Sequence, residues 1–204
     1  MIDLLFINLC KTPGVHTATA SAIIGSESSF NEAALNINAQ GLSFESLGIL
    51  RPKTSEEAIK VAERLMASKI NFDAGLMQIN SANFGFYKIT VRDVFNPCTN
   101  IRIGTAILKR FYNKSEKILG AGQEALKAAL SAYNTGNNTS GFENGYVAKF
   151  YGKKVAYKED PYRASMIPLP EGTLQVIDRA SKSPYTISMI QESDLKGSEN
   201  DKAN

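Results

Sequence analysis

Along most of this chain apolar residues recur at helical spacing rather than in alternation, so helices should dominate and strands should be scarce. Val15, Ala18, Ala22 and Ile23 fall on one face of a helix over 15–28, which delivers Glu27 at its C-terminal end beside a core. Thr54-Ser55-Glu56-Glu57 reads as a capping box, and Ile59, Ala62, Met66 and Ile70 then share one face. Asn96 followed by Pro97 reads as an N-cap with proline in the first turn, and Ile101, Gly104, Leu108 and Phe111 continue at helical spacing. The alanine-rich run from Gln123 to Tyr133 predicts another helix, ended by Gly136. Ser140 with Glu143 suggests a cap before a helix bearing Tyr146, Val147 and Phe150. Between the first two helices, residues 36–53 lack any period and read as a long irregular loop.

The character changes after about Tyr157. Prolines 161, 168, 170 and 184 punctuate a polar, mixed-charge stretch that does not read as one packed unit, and Ser193 to Asn204 reads as disordered. Two short apolar patches, Thr173 to Ile177 and Tyr185 to Ile190, could dock on a partner or on the rest of the chain. The expected organisation is an N-terminal segment over 1–9, one domain over 10–157 and a flexible tail over 158–204.

Composition narrows the classes. A chain of 204 residues with 43% hydrophobic content can bury one good core. A net charge of +3 without a basic run interleaved with aromatics gives no sign of nucleic-acid binding. No apolar stretch is long enough to cross a bilayer. The start, Met1-Ile2-Asp3-Leu4-Leu5-Phe6-Ile7, lacks a basic region and makes a poor secretory signal, and Leu9 is too large for a lipoprotein cleavage site before Cys10. The lone His16 and the two cysteines, Cys10 and Cys98, are too few to hold a metal, so no metal or cofactor is expected. On their own the cysteines read either as one disulfide or as two separate buried thiols.

Three blocks carry the chemistry: Ser26-Glu27-Ser28-Ser29-Phe30, then Asp73-Ala74-Gly75-Leu76-Met77-Gln78-Ile79-Asn80-Ser81, then Ala132-Tyr133-Asn134. In this order, over about residues 10 to 157, the chain resembles the soluble lytic transglycosylases of the lysozyme superfamily. Within them it is most similar to the peptidoglycan-cleaving subunit of type IV secretion systems. That closer likeness rests on Cys10 ahead of Val15-His16, on Asn71-Phe72-Asp73, and on Asn96-Pro97-Cys98-Thr99-Asn100-Ile101. The resemblance implies a mainly α, α+β lysozyme-like fold, with a small hairpin in the region of residues 36–53. Family members often carry such a cysteine pair, which favours the bridge. The implied setting is the periplasm, with type IV secretion components as partners through the tail.

Cleaving a glycosidic bond needs a proton donor at the leaving oxygen and something that stabilises the oxocarbenium ion. A carboxyl donates at neutral pH only when its environment raises its pKa, usually through an apolar wall. Glu27 is the expected general acid, with Leu76, Met77 and Tyr133 as candidate walls. A lytic transglycosylase uses this carboxyl alone. It donates its proton, then accepts one from the sugar's own C6 hydroxyl, leaving a 1,6-anhydro muramic end.

Asp73 stands where animal-type lysozymes place their second carboxylate. It is read either as a stabilising anion or nucleophile, or as the residue that fixes the turn before Gly75 through backbone amides. The family pattern implies that Gly75 allows close approach to the saccharide and that Met77 and Gln78 line the groove. Gln78 and Asn80 could bind acetamido or hydroxyl groups, or tie down the loop. Ser28 is expected to bond backbone near Glu27. Tyr133 could orient the Glu27 carboxyl or an acetamido group, and Asn134 reads as structural or substrate-binding. Tyr146 resembles a family tyrosine that reaches the active site, though alone it reads as a core aromatic, and His16 is expected to be structural. The competing readings are a water-using muramidase and a wall-binding secretion assembly factor in which catalysis is dispensable.

Overall fold

In the computed structural model, residues 2–151, 174–177 and 184–187 are described. Two compact units emerge, one of residues 1–12 and 23–106, the other of residues 13–22 and 107–204.

In the first unit, Asp3 caps helix α1 (Leu4–Cys10) by accepting from the Phe6 N–H at 2.8 Å. Ile7 and Cys10 are its buried side. Seven residues are too short for a periodic signal, which is why the sequence read this stretch only as a leading segment. A disulfide joins Cys10 to Cys98, 88 residues on, in the first turn of α6 (Pro97–Leu119). The chain then lies along α6: the Thr12 N–H donates to Oγ1 of Thr105 at 2.9 Å, and the Thr12 hydroxyl donates to the Arg102 carbonyl at 2.9 Å. Helix α2 (Thr17–Ser28) begins where His16 Nδ1 accepts from the Ala18 N–H, a structural role as expected.

Helix α3 (Ser55–Ala67) has Thr54 as its cap, accepting from the Glu57 N–H at 3.2 Å. The Glu57 carboxylate reaches one residue further than a capping box requires, to the Lys53 N–H at 2.8 Å. Its buried stripe is Ala58, Ile59, Ala62 and Leu65, whereas Met66 is 40% exposed. The apolar face is therefore rotated slightly from the expected one. Two short helices escaped the sequence reading because four residues carry no period: α4 (Phe84–Tyr87) and α5 (Val91–Val94). At α6, Asn96 caps as expected, its Oδ1 accepting from the Thr99 N–H at 3.0 Å.

The strands are not a hairpin within residues 36–53. Strand β1 (Leu35–Ile37) pairs antiparallel with β2 (Phe72–Ala74), which pairs antiparallel with β3 (Ile79–Asn80). The hairpin comes from the second chemical block, and β1 joins it across a gap that includes α3. The register sets Asn36 opposite Asp73 and Asp73 opposite Asn80, with Leu35, Ala74 and Ile79 aligned one residue away. Because side chains alternate, the sheet has an apolar face of Leu35, Ile37, Phe72, Ala74 and Ile79 and a polar row of Asn36, Asp73 and Asn80. Phe72, Ala74 and Ile79 are essentially fully buried.

The second unit is built on α7 (Gln123–Thr135), whose residues Ala125 through Ala132 are all buried. Gly136, at φ +80°, ends it as expected, its N–H donating to the Ala132 carbonyl at 2.8 Å. Helices α8 (Ser140–Glu143) and α9 (Ala148–Tyr151) replace the single helix expected there. Gly145 sits at φ +79° between them and breaks the run, so Tyr146 and Val147 precede α9 instead of riding on it. Nor does Ser140 cap: its own N–H, with that of Thr139, donates to Oδ1 of Asn137. The two apolar patches of the expected tail overlap strands β4 (Leu174–Ile177) and β5 (Pro184–Ile187), which pair antiparallel. The rest of the expected tail, Ser193 to Asn204 included, lies outside the described residues. Among the described residues no helix is long and apolar enough to cross a membrane.

The disulfide closes a loop of 88 residues. Constraining the unfolded chain over that length is worth about 4–5 kcal/mol in the chain-entropy picture. Reduction, or Cys98→Ser, is expected to lower the melting temperature by many degrees, checked by thermal melts with thiol counting. An unchanged melting temperature would contradict this.

Candidate active site

Glu27 is half-buried in the last turn of α2. Ser28 donates its hydroxyl to the Ile24 carbonyl at 3.1 Å, bonding backbone beside Glu27 as expected. The chain then turns sharply through two consecutive non-glycine residues in the left-handed region, Ser29 at φ +52° and Phe30 at φ +63°. Each such residue costs roughly 1–2 kcal/mol. The Phe30 ring folds back to 3.4 Å from where a side chain on Gly25 would begin. The Asn31 N–H closes the turn on the Ser28 carbonyl at 3.0 Å. Backbone strain held by its surroundings is a common feature of functional sites.

The second block folds as β2, a tight turn and β3. Asp73 is half-buried, and its carboxylate accepts from Nδ2 of Asn80 at 2.8 Å. Burial pushes the Asp73 pKa above its usual value, partly offset by hydrogen bonds from Asn38 and Asn80. Its partners are thus side-chain amides rather than the backbone of the turn before Gly75. Asn80 also exchanges both amide bonds with Asn71, at 2.9 and 2.8 Å, and accepts from the Ala82 N–H at 3.0 Å. Both its N–H groups and both lone pairs are in use. In this arrangement Asn80 ties the hairpin together and has nothing left for a sugar.

Gln78 is also committed to the loop. Its Nε2 donates to the carbonyls of Gly75 at 2.8 Å and Ala34 at 3.2 Å, and its Oε1 accepts from Nδ2 of Asn36 at 2.7 Å. One lone pair of Oε1 remains for a ligand donor. The residue holds φ +46°, a backbone conformation that these side-chain bonds help to sustain.

Gly75 and Met77 have packing partners within the first unit. Gly75, at φ +77°, is buried, and the space its missing side chain leaves is filled by Asn100, whose Nδ2 would lie 2.1 Å from a Cβ there. Close approaches that require glycine here are those of Asn100 and of the Val94 carbonyl. Met77 is fully buried, and a Cβ on Gly104 would lie 2.5 Å from its Sδ, so its side chain packs on α6 instead of lining an open groove.

The third block falls in the second unit. Tyr133 is half-buried near the end of α7, and Asn134 is exposed, its Oδ1 accepting from Nδ2 of Asn144 at 2.9 Å. Ser131 fixes the loop behind them, donating to the Asn137 carbonyl and accepting from the Gly141 N–H, each at 2.9 Å. Gly141 is required there, since a Cβ would meet the Ser131 Cα at 2.5 Å. Tyr146 is 3% exposed, its ring edge-on to Phe150 at 5.2 Å, the environment of a core aromatic.

Sequence reasoning gave no role to Asn36, Asn38, Asn71 and Asn100, the amides that hold the block in place. One signal was available: Asn100 stands four residues before Gly104 on the buried face of a helix, an unusual place for an unpaired amide. Among the described residues no group of three or more His, Cys, Asp or Glu side chains is placed to hold a metal ion.

A helix ending in half-buried Glu27 and a hairpin of the pattern Asp-x-Gly-x-Met-Gln-Ile-Asn are two of the three sequence blocks of the transglycosylase class. Residues 5–156 match the transglycosylase SLT domain, and the chain belongs to that family. Membership implies lytic transglycosylase activity with peptidoglycan as substrate.

More particularly, the chain is 32% identical to the type IV secretion system protein virB1 of Brucella abortus over 171 residues, which is 83% of this chain and 69% of that protein. It is 34% identical to the protein of that name in Brucella suis over 161 residues, 78% of this chain and 65% of the relative. With protein virB1 of Agrobacterium tumefaciens it shares 36% over 137 residues, 67% of this chain and 54% of the relative. No solved structure matches the chain significantly.

The raised pKa of Asp73 makes a stability prediction. A carboxyl that holds its proton more tightly when folded stabilises the fold at low pH. That contribution is lost as pH rises from the ordinary value of 3.8 through the raised one. Asp73→Asn keeps an acceptor for Asn80 and removes the buried charge. The variant should lose the downward slope above about pH 4 and be at least as stable as the parent at pH 7. Urea midpoints across pH test this, and a variant clearly less stable at pH 7 than at pH 4, relative to the parent, would contradict it.

Proposed function

We propose that this protein cleaves the β-1,4 bond between N-acetylmuramic acid and N-acetylglucosamine in peptidoglycan. Glu27 acts first as general acid and then as base toward the C6 hydroxyl, so that no water is consumed. The observation that carries this reading is the transglycosylase domain match over residues 5–156, which contains all three chemical blocks in order. Supporting it, Glu27 stands half-buried in the last turn of α2, ahead of a strained turn through Ser29 and Phe30. Burial disfavours the Asp73 anion, which weighs against Asp73 as a nucleophile and so against the water-using alternative. Within the first unit, the second lone pair of the Gln78 Oε1 is the group proposed to meet an acetamido or hydroxyl substituent.

The proposed setting is the periplasm, where the cleavage opens the wall locally for a type IV secretion or conjugation apparatus. The relatives' names support that assignment, and the Cys10–Cys98 disulfide fits an oxidising compartment. Secretion components are the proposed partners of the segment beyond residue 157.

Glu27→Gln keeps the shape and hydrogen bonding of the side chain but not the transferable proton. Clearing of purified peptidoglycan should fall by at least 10²–10⁴ with the melting temperature preserved. Near-parental clearing would remove Glu27 from the reaction. A chain ending near Tyr157 should still cut peptidoglycan while losing support of secretion in cells; an insoluble or inactive product would place the later residues within the folded domain.

A further inference from the structure

The proposed chemistry needs the turn between β2 and β3 to hold still, and a side chain outside the three blocks holds it. Asn100, in the first turn of α6, is 1% exposed. Its Nδ2 donates to the carbonyls of Ala74 at 3.0 Å and Val94 at 2.8 Å, and its Oδ1 accepts from the Met77 N–H at 2.8 Å. Two of these bonds bracket the turn: Ala74 is the last residue of β2, and Met77 lies two before β3. The same amide fills the volume beside Gly75, where a Cβ would stand 2.1 Å from its Nδ2 and 2.9 Å from the Val94 carbonyl. Asn100 is thus one of three reasons for glycine at 75, beside the Val94 carbonyl and the backbone φ of +77°. The base from which Asn100 reaches is itself fixed, by the Asn96 cap and by the disulfide at Cys98.

We infer that Asn100 is a positioning residue for the reaction. It sets the backbone from Ala74 to Met77 and thereby the placement of Asp73 on one side of the turn and Gln78 on the other. This rests on the transglycosylase reading above. Asn100 touches no substrate; it acts by denying the turn the freedom to shift. Misplacement of a reacting partner by about 1 Å is enough to cost up to a hundredfold in rate.

The test uses the full chain with its disulfide formed, and three variants: Asn100→Ala, Gly75→Ala and the pair. Turnover on soluble, uncrosslinked glycan strands is measured where melting curves show every protein fully folded, with strand affinity measured separately. Each single substitution should lower turnover roughly ten- to a hundredfold while affinity changes much less. The pair should lose clearly less than the product of the two single effects, because removing Asn100 relieves its clash with the new methyl group while the φ +77° strain and the Val94 carbonyl contact remain. Parental turnover in fully folded Asn100→Ala, or two effects that simply multiply, would overturn the inference.

If Asn100→Ala does not fold, hydrogen exchange of the parent decides. The Met77 amide should exchange as slowly as the core of β2, and loop-like exchange would overturn the clamp. If the parent does not cut the strands, the transglycosylase reading fails by itself. Coupling between positions 75 and 100 in melting experiments then still supports the clamp, and additivity still overturns it.

Discussion

Asn100 makes three hydrogen bonds from one buried amide that fills the space Gly75 leaves open, and the β2–β3 hairpin is organised around that contact. A buried amide is costly unless its groups are paired, so the arrangement works only in one register. Shift the turn by one residue and Asn100 loses its partners while the polar and apolar faces of the sheet exchange places. The disulfide, the Asn96 cap and the Thr12 bonds all act on the same stretch of α6, so the region that presents Asn100 is held from several sides.

From that anchor the sheet separates two tasks. Its apolar row, Leu35, Ala74 and Ile79 with Phe72, packs inward and supplies the burial that makes so short a sheet stable. Its polar row, Asn36, Asp73 and Asn80, is laced to Asn71 and Gln78 by amide–amide and amide–carboxylate bonds. Amides suit this work because each offers donors and acceptors without charge, so a network can surround Asp73 without supplying a counter-ion. The cost falls on Asp73, whose charged form is disfavoured, and that bears directly on which carboxyl carries out the chemistry.

The sequence made α3 and α6 legible because they bury one face, whereas α2 and α7 bury continuous runs, residues 19–24 and 125–132, and are read from their apolar content. Thr54, Asn96 and Gly136 act as the cap signals indicated. Helices α4, α5, α8 and α9, at four residues each, have no period to read, and Gly145 divides what looked like one helix. The strands were expected in the wrong loop because β1 finds its partner more than thirty residues away, and such pairing is invisible to a local pattern. At the candidate site the three blocks were recognisable as chemistry. What they do locally was less so: Gly75 and Met77 serve packing against Asn100 and Gly104, and Asn80 serves the hairpin. These roles depend on neighbours distant in sequence, which residue type alone does not reveal.

The central claim is that one carboxyl, Glu27, does the work of both proton donor and proton acceptor. Mass spectrometry of the soluble products released from purified peptidoglycan tests it most directly. The account predicts 1,6-anhydro muramic ends as the main product, with no oxygen incorporated from isotopically labelled water. Reducing muramic ends carrying that label would contradict it, and would identify water as the nucleophile and Asp73 as a working second carboxylate.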